Sequence, residues 1–391
     1  MAGSVHAVNW INMLQGSGWQ VFLLPVYAAR PLPTLQGART VSSRGDVARL
    51  VPGEVGVVQP GTVPRWKARI QDRARGYRPW QPSWLNDRIA SPGDLAEAIR
   101  LVRPDLVHSM EVQLAGYLCL EAKRRLGAAF PPWLLSNWGS DIYLFRKLRG
   151  HQDRLRAVAS SIDFYLAECE RDQAAIRDLG FCGVCFDPVP ASGGVRLEAF
   201  GDLLAAPPPS RRRVILIKAY QGWAGRGLTA LSAVRLAHTD LRDFSISITM
   251  ANQAVGETAA TIARETGLDI RCEAYLPSHA DALARVAGAR ISVGVGISDG
   301  ISTSLLEAMA FGGFPIQSDT ACADEWVEDG RSGFIVSPHD TRQIADRLAR
   351  AATDDALVDT AAAINRRTIE RRWHVDRVRE RVLSYYQSMV A

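Results

Sequence analysis

Residues 297–319 read ISDGISTSLLEAMAFGGFPIQSD, and the elements they encode decide the fold. The run before them, ARISVGVG (289–296), has the length and apolar content of a buried strand. A loop with Asp299 and Gly300 follows, Ser302 or Thr303 offers an N-cap, and SLLEAMAF runs at helical spacing to a Gly-Gly stop. GFPIQSD (313–319) is again of strand length. In a strand–loop–helix unit the unpaired N–H groups of the first helical turn face the carboxyl edge of the sheet, where an anion gains about 0.3–1 kcal/mol. Phosphate is the natural occupant. Glu307 lies four residues after Thr303, about one turn into the helix, so it reaches the same mouth and can accept two hydroxyl donors from a ribose. Asp299, on the loop, faces the other side of the pocket and can bind the hydroxyls of a second sugar. Two carboxylates then bracket a diphosphate.

The same alternation of strand and helix runs outward in both directions. After a break come RRVILIKAY, DFSISITMA, LDIRCEAYL, ARISVGVG, GFPIQSD and GFIVSP, separated by helical patterns such as ADALARVAG and TRQIADRLARAA. Before it, WQVFLLPV (19–26), PDLVHSM (104–110), PWLLSNW (132–138) and FYLAE (164–168) are strand-length runs, and EVQLAGYLCLEAKRRLG between the second and third reads as a helix closing on bases and a glycine. This order predicts an α/β protein with two parallel, Rossmann-like sheets. The break is ASGGVRLEAFGDLLAAPPPSRRR (191–213), whose glycines, consecutive prolines and arginines suit an exposed domain connection. The expected organisation is a first lobe over 1–195, a second over 196–372, and an amphipathic helix over 373–391. One element is conspicuous: SVHAVNWINMLQGSGWQV (4–21) reads as helix, glycine turn and second strand, with no first strand before it. Either the native start lies upstream of Met1 or the lobe does without that strand.

Length and composition set outer bounds. A chain of 391 residues, 47% apolar and 22% charged, is an ordinary globular protein of about two or three domains. A formal net charge of +5 is a modest preference for anionic partners. The six cysteines are scattered, and the single Cys-x-x-Cys, in FCGVCF, has no second pair to complete a zinc site, so reduced thiols are expected. The amino terminus lacks a basic start with a long apolar stretch, and nowhere do 18 apolar residues run together. A cytoplasmic protein, or one peripheral on the inner face of the cytoplasmic membrane, is expected.

SDGISTSLLEAMAFGGFPIQSD, with DEWVEDGRSGFIVSPHDTRQIADRLARAATD after it, resembles the donor-binding core of retaining glycosyltransferases of family 4, within glycosyl transferases group 1. That family carries two acids separated by seven residues, a Gly- and Pro-rich turn, and a DG-x-x-G step. The first acid is Asp299 here, where the family usually has glutamate. The resemblance extends over nearly the whole chain. PDLVHSM matches a strand carrying a histidine, His108, and NWGSDIYLF matches a His-Gly-x-Asp turn in which Gly139, Ser140 and Asp141 fit but Trp138 replaces the histidine. ILIKAYQGWAGRGL stands where the family has an arginine and a lysine on the diphosphate, with Lys218 and Arg226 in swapped order and at wider spacing.

The resemblance implies the GT-B fold, two lobes facing each other across a cleft, with the acceptor on the first lobe and the last helix crossing back to it. It implies transfer of a sugar from a UDP- or GDP-type nucleotide-diphosphate donor to a glycan or lipid-linked acceptor, with retention of configuration, in surface polysaccharide or glycoconjugate synthesis. No metal and no cofactor beyond the donor are expected, because Lys218 and Arg226 take the metal's place on the diphosphate. The implied catalytic candidates are Asp141, His108 and Asp299. The implied donor-binding set is Lys218, Arg226, Asp299, Gly300, Thr303, Ser304 and Glu307.

Two other classes compete. GVGISDG (294–300), with Asp319 about twenty residues on, fits a loose dinucleotide fingerprint and so a nicotinamide oxidoreductase, although that motif normally opens a lobe. RWKARIQDRARGYRPWQPSW (65–84) has six bases, one acid and four aromatics. It fits an anionic membrane surface or a solvated loop equally well, and no nucleic-acid module surrounds it. A basic binding protein without catalysis is therefore the third class.

Overall fold

The computed structural model describes residues 4–27, 32–41, 44–60, 89–273 and 279–390, and falls into two compact units, Met1–Gly194 with Val378–Ala391, and Val195–Arg377. The basic stretch 65–84 lies outside the described residues. No helix among them is long and apolar enough to cross a membrane.

The first unit holds two parallel sheets. Strands β1 (Val21–Leu23), β2 (Ala38–Val41) and β3 (Val55–Val58) pair in the order β1-β3-β2. Strands β4 (Val107–Met110), β5 (Trp133–Ser136), β6 (Phe164–Leu166) and β7 (Val184–Phe186) pair in chain order. β5 shows why a parallel sheet reads as an unbroken apolar run: all of WLLS is buried, because helices cover both faces. Trp133 is fully buried and still donates its indole N–H to Ser109 Oγ at 2.8 Å. Around it pack Leu118, Leu135, Ile142, Phe145 and Tyr165, the centre of this unit's core.

The helix Pro92–Val102 has a complete start signal. Ser91 Oγ accepts from Asp94 N at 3.1 Å while Asp94 Oδ2 accepts from Ser91 N at 2.7 Å, and proline occupies the first turn. In the last helix, Val375–Val390, the buried residues Val378, Val382, Tyr386 and Met389 make one stripe at helical spacing. Trp10 donates to the Tyr386 hydroxyl at 3.1 Å, which ties that helix to Val5–Met13 at the front of the unit.

The second unit is one continuous sheet. Strands β8 (Val214–Lys218), β9 (Ser245–Thr249), β10 (Asp269–Glu273), β11 (Ile291–Gly294), β12 (Phe314–Ser318) and β13 (Phe334–Val336) are all parallel, in the order β10-β9-β8-β11-β12-β13. From β8 the chain builds outward to β10, returns to the middle at β11, and then builds the other way. The order reverses between β8 and β11, where ligands bind in open α/β sheets, at the carboxyl ends of the strands. Arg290, directly before β11, is almost wholly buried. It donates to Ala351 O at 2.9 Å and Ser210 O at 3.1 Å, and pairs with Asp355 at 2.5 Å, closing the end of the helix Thr341–Thr353.

The six strand runs of the second half are β8–β13. In the first half β2, β3 and β7 have no counterpart among the expected strands. Each is short, and the Cys-x-x-Cys stretch expected as isolated thiols contains β7. All six cysteines are free.

Candidate functional site

The residues singled out in 218–307 converge on the reversal between β8 and β11. Lys218 is the last residue of β8 and stands in register with Gly294, the last of β11. The loops leaving these strands are laced together: Arg226 N donates to Val295 O at 3.0 Å and Ile297 N to Ala224 O at 2.8 Å. The glycines of GWAGRGL make this approach feasible, since a Cβ on Gly225 would overlap Tyr220 O and one on Gly227 would overlap Ala219 O. Gln221 accepts from Leu228 N at 3.2 Å, which fixes the loop to the helix Gly227–Leu236.

The helix Thr303–Ala310 starts at N-cap Ser302 with no side chain capping it, and its first turn contains no acid. Ser302 and Ser304 hydroxyls bond each other at 2.8 Å. An uncapped helix start at a sheet reversal is suited to an anion by both its N–H groups and its dipole. The helix ends at Gly312 in the left-handed region, φ 77°. Its Leu305, Leu306, Ala308 and Met309 are buried, which turns Glu307 away from the apolar side.

Glu307 is partly buried, and burial pushes its carboxyl up to about 7, with the nearby Lys218 ammonium opposing the rise. A carboxyl raised toward neutrality near an ammonium at a sheet reversal marks a candidate functional site. Asp299 lies on the facing loop, where its N–H donates to Thr320 O at 3.3 Å and its Oδ1 accepts from Gly300 N at 3.0 Å. The Tyr220 hydroxyl is pushed up to about 12, by burial first and then by the Asp299 charge, against the pull of Arg226. These three groups therefore share one electrostatic neighbourhood. Arg226 turns its guanidinium back onto its own loop, donating to Gly225 O at 2.8 Å and Gly222 O at 3.2 Å. Lys218, Asp299, Gly300, Thr303, Ser304 and Glu307 thus stand on the two strand ends and the helix of one switch point, with Arg226 on its rim.

The first-unit candidates are at the carboxyl edge of β4–β6. His108 Nε2 bonds Ser136 Oγ and its Nδ1 bonds the Tyr386 hydroxyl, both at 2.7 Å. The Tyr386 hydroxyl also accepts from Trp10 Nε1 at 3.1 Å, so His108, Tyr386 and Trp10 form one buried chain of hydrogen bonds. Burial lowers the His108 pKa to about 3, so the imidazole stays neutral with both nitrogens engaged. Asp141 is buried and accepts from Trp138 N at 2.8 Å and Val112 N at 3.2 Å. Burial holds its carboxyl well above the usual range, and the charge of Glu111 adds to this.

Sequence reasoning missed Glu111. It follows β4 directly in a positive-φ conformation, φ 82°, and its carboxylate accepts from Leu114 N at 2.9 Å and Ala115 N at 3.2 Å. Burial pushes its pKa up to about 7 against those bonds. The available signal was an acid immediately after the strand VHSM, at a carboxyl edge, and it was absorbed into the start of the helix that follows.

Comparisons with known proteins bear on this geometry. Residues 257–371 match the family described as glycosyl transferases group 1, a span that includes Asp299 and Glu307 and excludes Lys218 and Arg226. No curated protein matches by sequence. Several solved structures match over nearly the whole chain. An α,α-trehalose 6-phosphate synthase from Burkholderia multivorans aligns with TM-score 0.68 at 15% identity, over 100% of this chain and 96% of its own. Anabaena HepE in complex with UDP and glucose aligns at TM-score 0.65 and 12% identity, over 99% and 97%. Sucrose-phosphate synthase from Thermosynechococcus elongatus aligns at 0.64 and 14%, over 95% and 99%. At such identities the likeness is one of fold, so the chain has the GT-B fold, and its residues 257–371 are similar to the glycosyl transferases of group 1.

Proposed function

We propose that this chain is a retaining, metal-independent glycosyltransferase that moves a sugar from a UDP- or GDP-type donor to a glycan or lipid-linked acceptor. The observation that carries the reading is the meeting of Lys218, Glu307 and the uncapped helix Thr303–Ala310 at the β8–β11 reversal. In this reading Glu307 takes the ribose hydroxyls, the first-turn N–H groups at Thr303 and Ser304 take the diphosphate, and Asp299 takes the sugar. The donor's C1–O bond to phosphate breaks as the acceptor oxygen bonds to C1 on the same face, and the acceptor proton passes to the departing phosphate. Charge accumulates on the phosphate oxygens in that step, so fixed cations and N–H dipoles lower its barrier. Lys218 and Arg226 are the cations. The HepE structures in complex with UDP and glucose and with UDP-glucose favour UDP as the first nucleotide to try.

For the first unit we propose acceptor binding at the carboxyl edge of β4–β6, where Glu111 and Asp141 are buried together. A role in surface polysaccharide or glycoconjugate synthesis, and attachment to an anionic membrane through residues 65–84, extend the proposal. Thermal-shift measurements with UDP, GDP, NAD and single-stranded DNA test its core. Stabilisation by UDP or GDP alone is expected, and a response to NAD alone contradicts the transferase reading.

A further inference from the structure

The carboxyl edge of β5 and β6 gathers polar groups that the donor site does not use. Asp141 is held there by two neighbours: Trp138 N donates to its Oδ1 at 2.8 Å, and Gln113 Nε2 donates to its main-chain O at 2.7 Å. Each neighbour keeps a second polar atom, Trp138 Nε1 and Gln113 Oε1, and both atoms are buried without a hydrogen-bond partner among the described residues. Gln113 as a whole is 4% exposed. A buried donor and a buried acceptor that stay unmade cost free energy in the folded protein. Hydroxyl groups answer both needs, since each donates one hydrogen bond and accepts others.

Further along the same edge the groups become cationic. The Asp141 carboxyl is raised by burial and then by the charges of Glu111 and Asp172. Asp172 is fully buried and accepts from Asn137 Nδ2 at 2.7 Å and from Arg171 Nε at 2.9 Å. Arg171 stands in the first turn of the helix Glu170–Asp178, after β6, and its guanidinium lies over the Tyr143 ring, 3.7 Å from the centroid. Lys147, in the short turn Phe145–Lys147 after β5, lies over the same ring with Nζ 3.9 Å from the centroid.

One cation gains from the face of an aromatic ring, but two on the same ring repel each other. Asp172 offsets Arg171. Lys147 is exposed and has no carboxylate partner among the described residues. The cluster therefore keeps a positive charge that phosphate oxygens can take.

We propose that Tyr143, Lys147 and Arg171 form a phosphate site in the first unit, and that the acceptor is a sugar carrying phosphate, with its hydroxyls on Gln113 and Trp138. The proposal rests on the reading of this edge as the acceptor site and names the acceptor's chemical class. A neutral glycan satisfies the buried atoms but leaves the cations unanswered, and a bare phosphate does the reverse. The phosphate belongs either to a free sugar phosphate or to a sugar joined through phosphate to a lipid, and both present the same oxygens to the cations.

Acetylation of lysine amines, read by mass spectrometry on the whole chain, tests this because each lysine reports a different place. Lys147 reads the proposed site, Lys218 the donor site, and Lys123, bonded to Ser161 O at 2.6 Å, is the reference. The additions compared are hexose 6-phosphates, the same hexoses without phosphate, phosphatidylcholine vesicles with and without a polyprenyl-phosphate-linked sugar, and sodium sulfate at the ionic strength of the sugar phosphates. The hexose 6-phosphates or the polyprenyl vesicles are expected to slow acetylation of Lys147 by about fivefold or more relative to Lys123, while hexoses, plain vesicles and sulfate leave it unchanged. Protection by the hexose 6-phosphates assigns a free sugar phosphate, and protection by the polyprenyl vesicles alone assigns a lipid-linked one. Unchanged reactivity of Lys147 under every addition, or equal slowing by sulfate, by plain vesicles or by the unphosphorylated hexoses, overturns the proposal. UDP and GDP are read at Lys218, where an absence of protection counts against the donor reading instead, so the two readings can fail separately.

Discussion

Among the described residues the sheet of the second unit runs unbroken through six strands, while the first unit has one sheet of three strands and one of four. Both units use the same local logic: apolar strand runs, amphipathic helices and parallel pairing. The difference lies in what each unit gathers at its carboxyl edge. In the second unit a helix without a side-chain cap starts there beside the end of β8, so its first N–H groups are suited to an anion. In the first unit that edge holds the buried acids Glu111 and Asp141, whose carboxylates already accept from backbone N–H groups.

The largest effect expected from this contrast is on the second unit's stability. Arg290 is buried before β11 and satisfies Ala351 O and Ser210 O, so Arg290→Ala leaves those carbonyls without partners in the interior. A loss of about 3 kcal/mol is expected, read by calorimetry as a lowered transition of the second unit alone. If both units' transitions fall together, they do not fold as separate bodies and the contrast drawn above fails.

A smaller effect separates the units by pH. Glu307 in the second unit has its folded pKa raised to about 7. Its contribution to stability is fully present below the ordinary glutamate value and is lost as pH rises through 7. Glu111 in the first unit behaves in the same sense. His108 works against it: its folded pKa is lowered to about 3, so acidification through the ordinary histidine range protonates the unfolded chain preferentially and stability falls. Acidification from pH 8 to 5, followed by denaturant titration, should therefore stabilise the second unit by on the order of 2 kcal/mol, while in the first unit the gains at Glu111, Asp141 and Asp172 oppose the loss at His108. Glu307→Gln is expected to flatten the second unit's gain, and an unaltered slope in that variant removes Glu307 as its source.

Legibility in the sequence followed the same division. The six strands of the second unit were readable because the central ones are apolar runs and all alternate with helical patterns, even though β10 (DIRCE) is polar and β13 has three residues. Lys218, Asp299 and Glu307 could be placed at one mouth because strand, loop and helix fix their relative positions within a few residues. In the first unit β2, β3 and β7 were hidden: Ala38–Val41 and Val55–Val58 are four residues each among polar and glycine-rich neighbours, and Val184–Phe186 is a three-residue edge. Glu111 was hidden for another reason. Its importance comes from burial and from a positive φ, and neither is written in a local pattern.

The most direct measurement of the central claim is calorimetric titration of UDP and GDP into the chain and into Glu307→Ala. If Glu307 holds the ribose beside Lys218, at least one nucleotide binds the parent and its affinity falls by about thirtyfold or more in the variant, roughly 2 kcal/mol, while the second unit's melting transition is retained. Equal binding of that nucleotide by the two proteins contradicts the account.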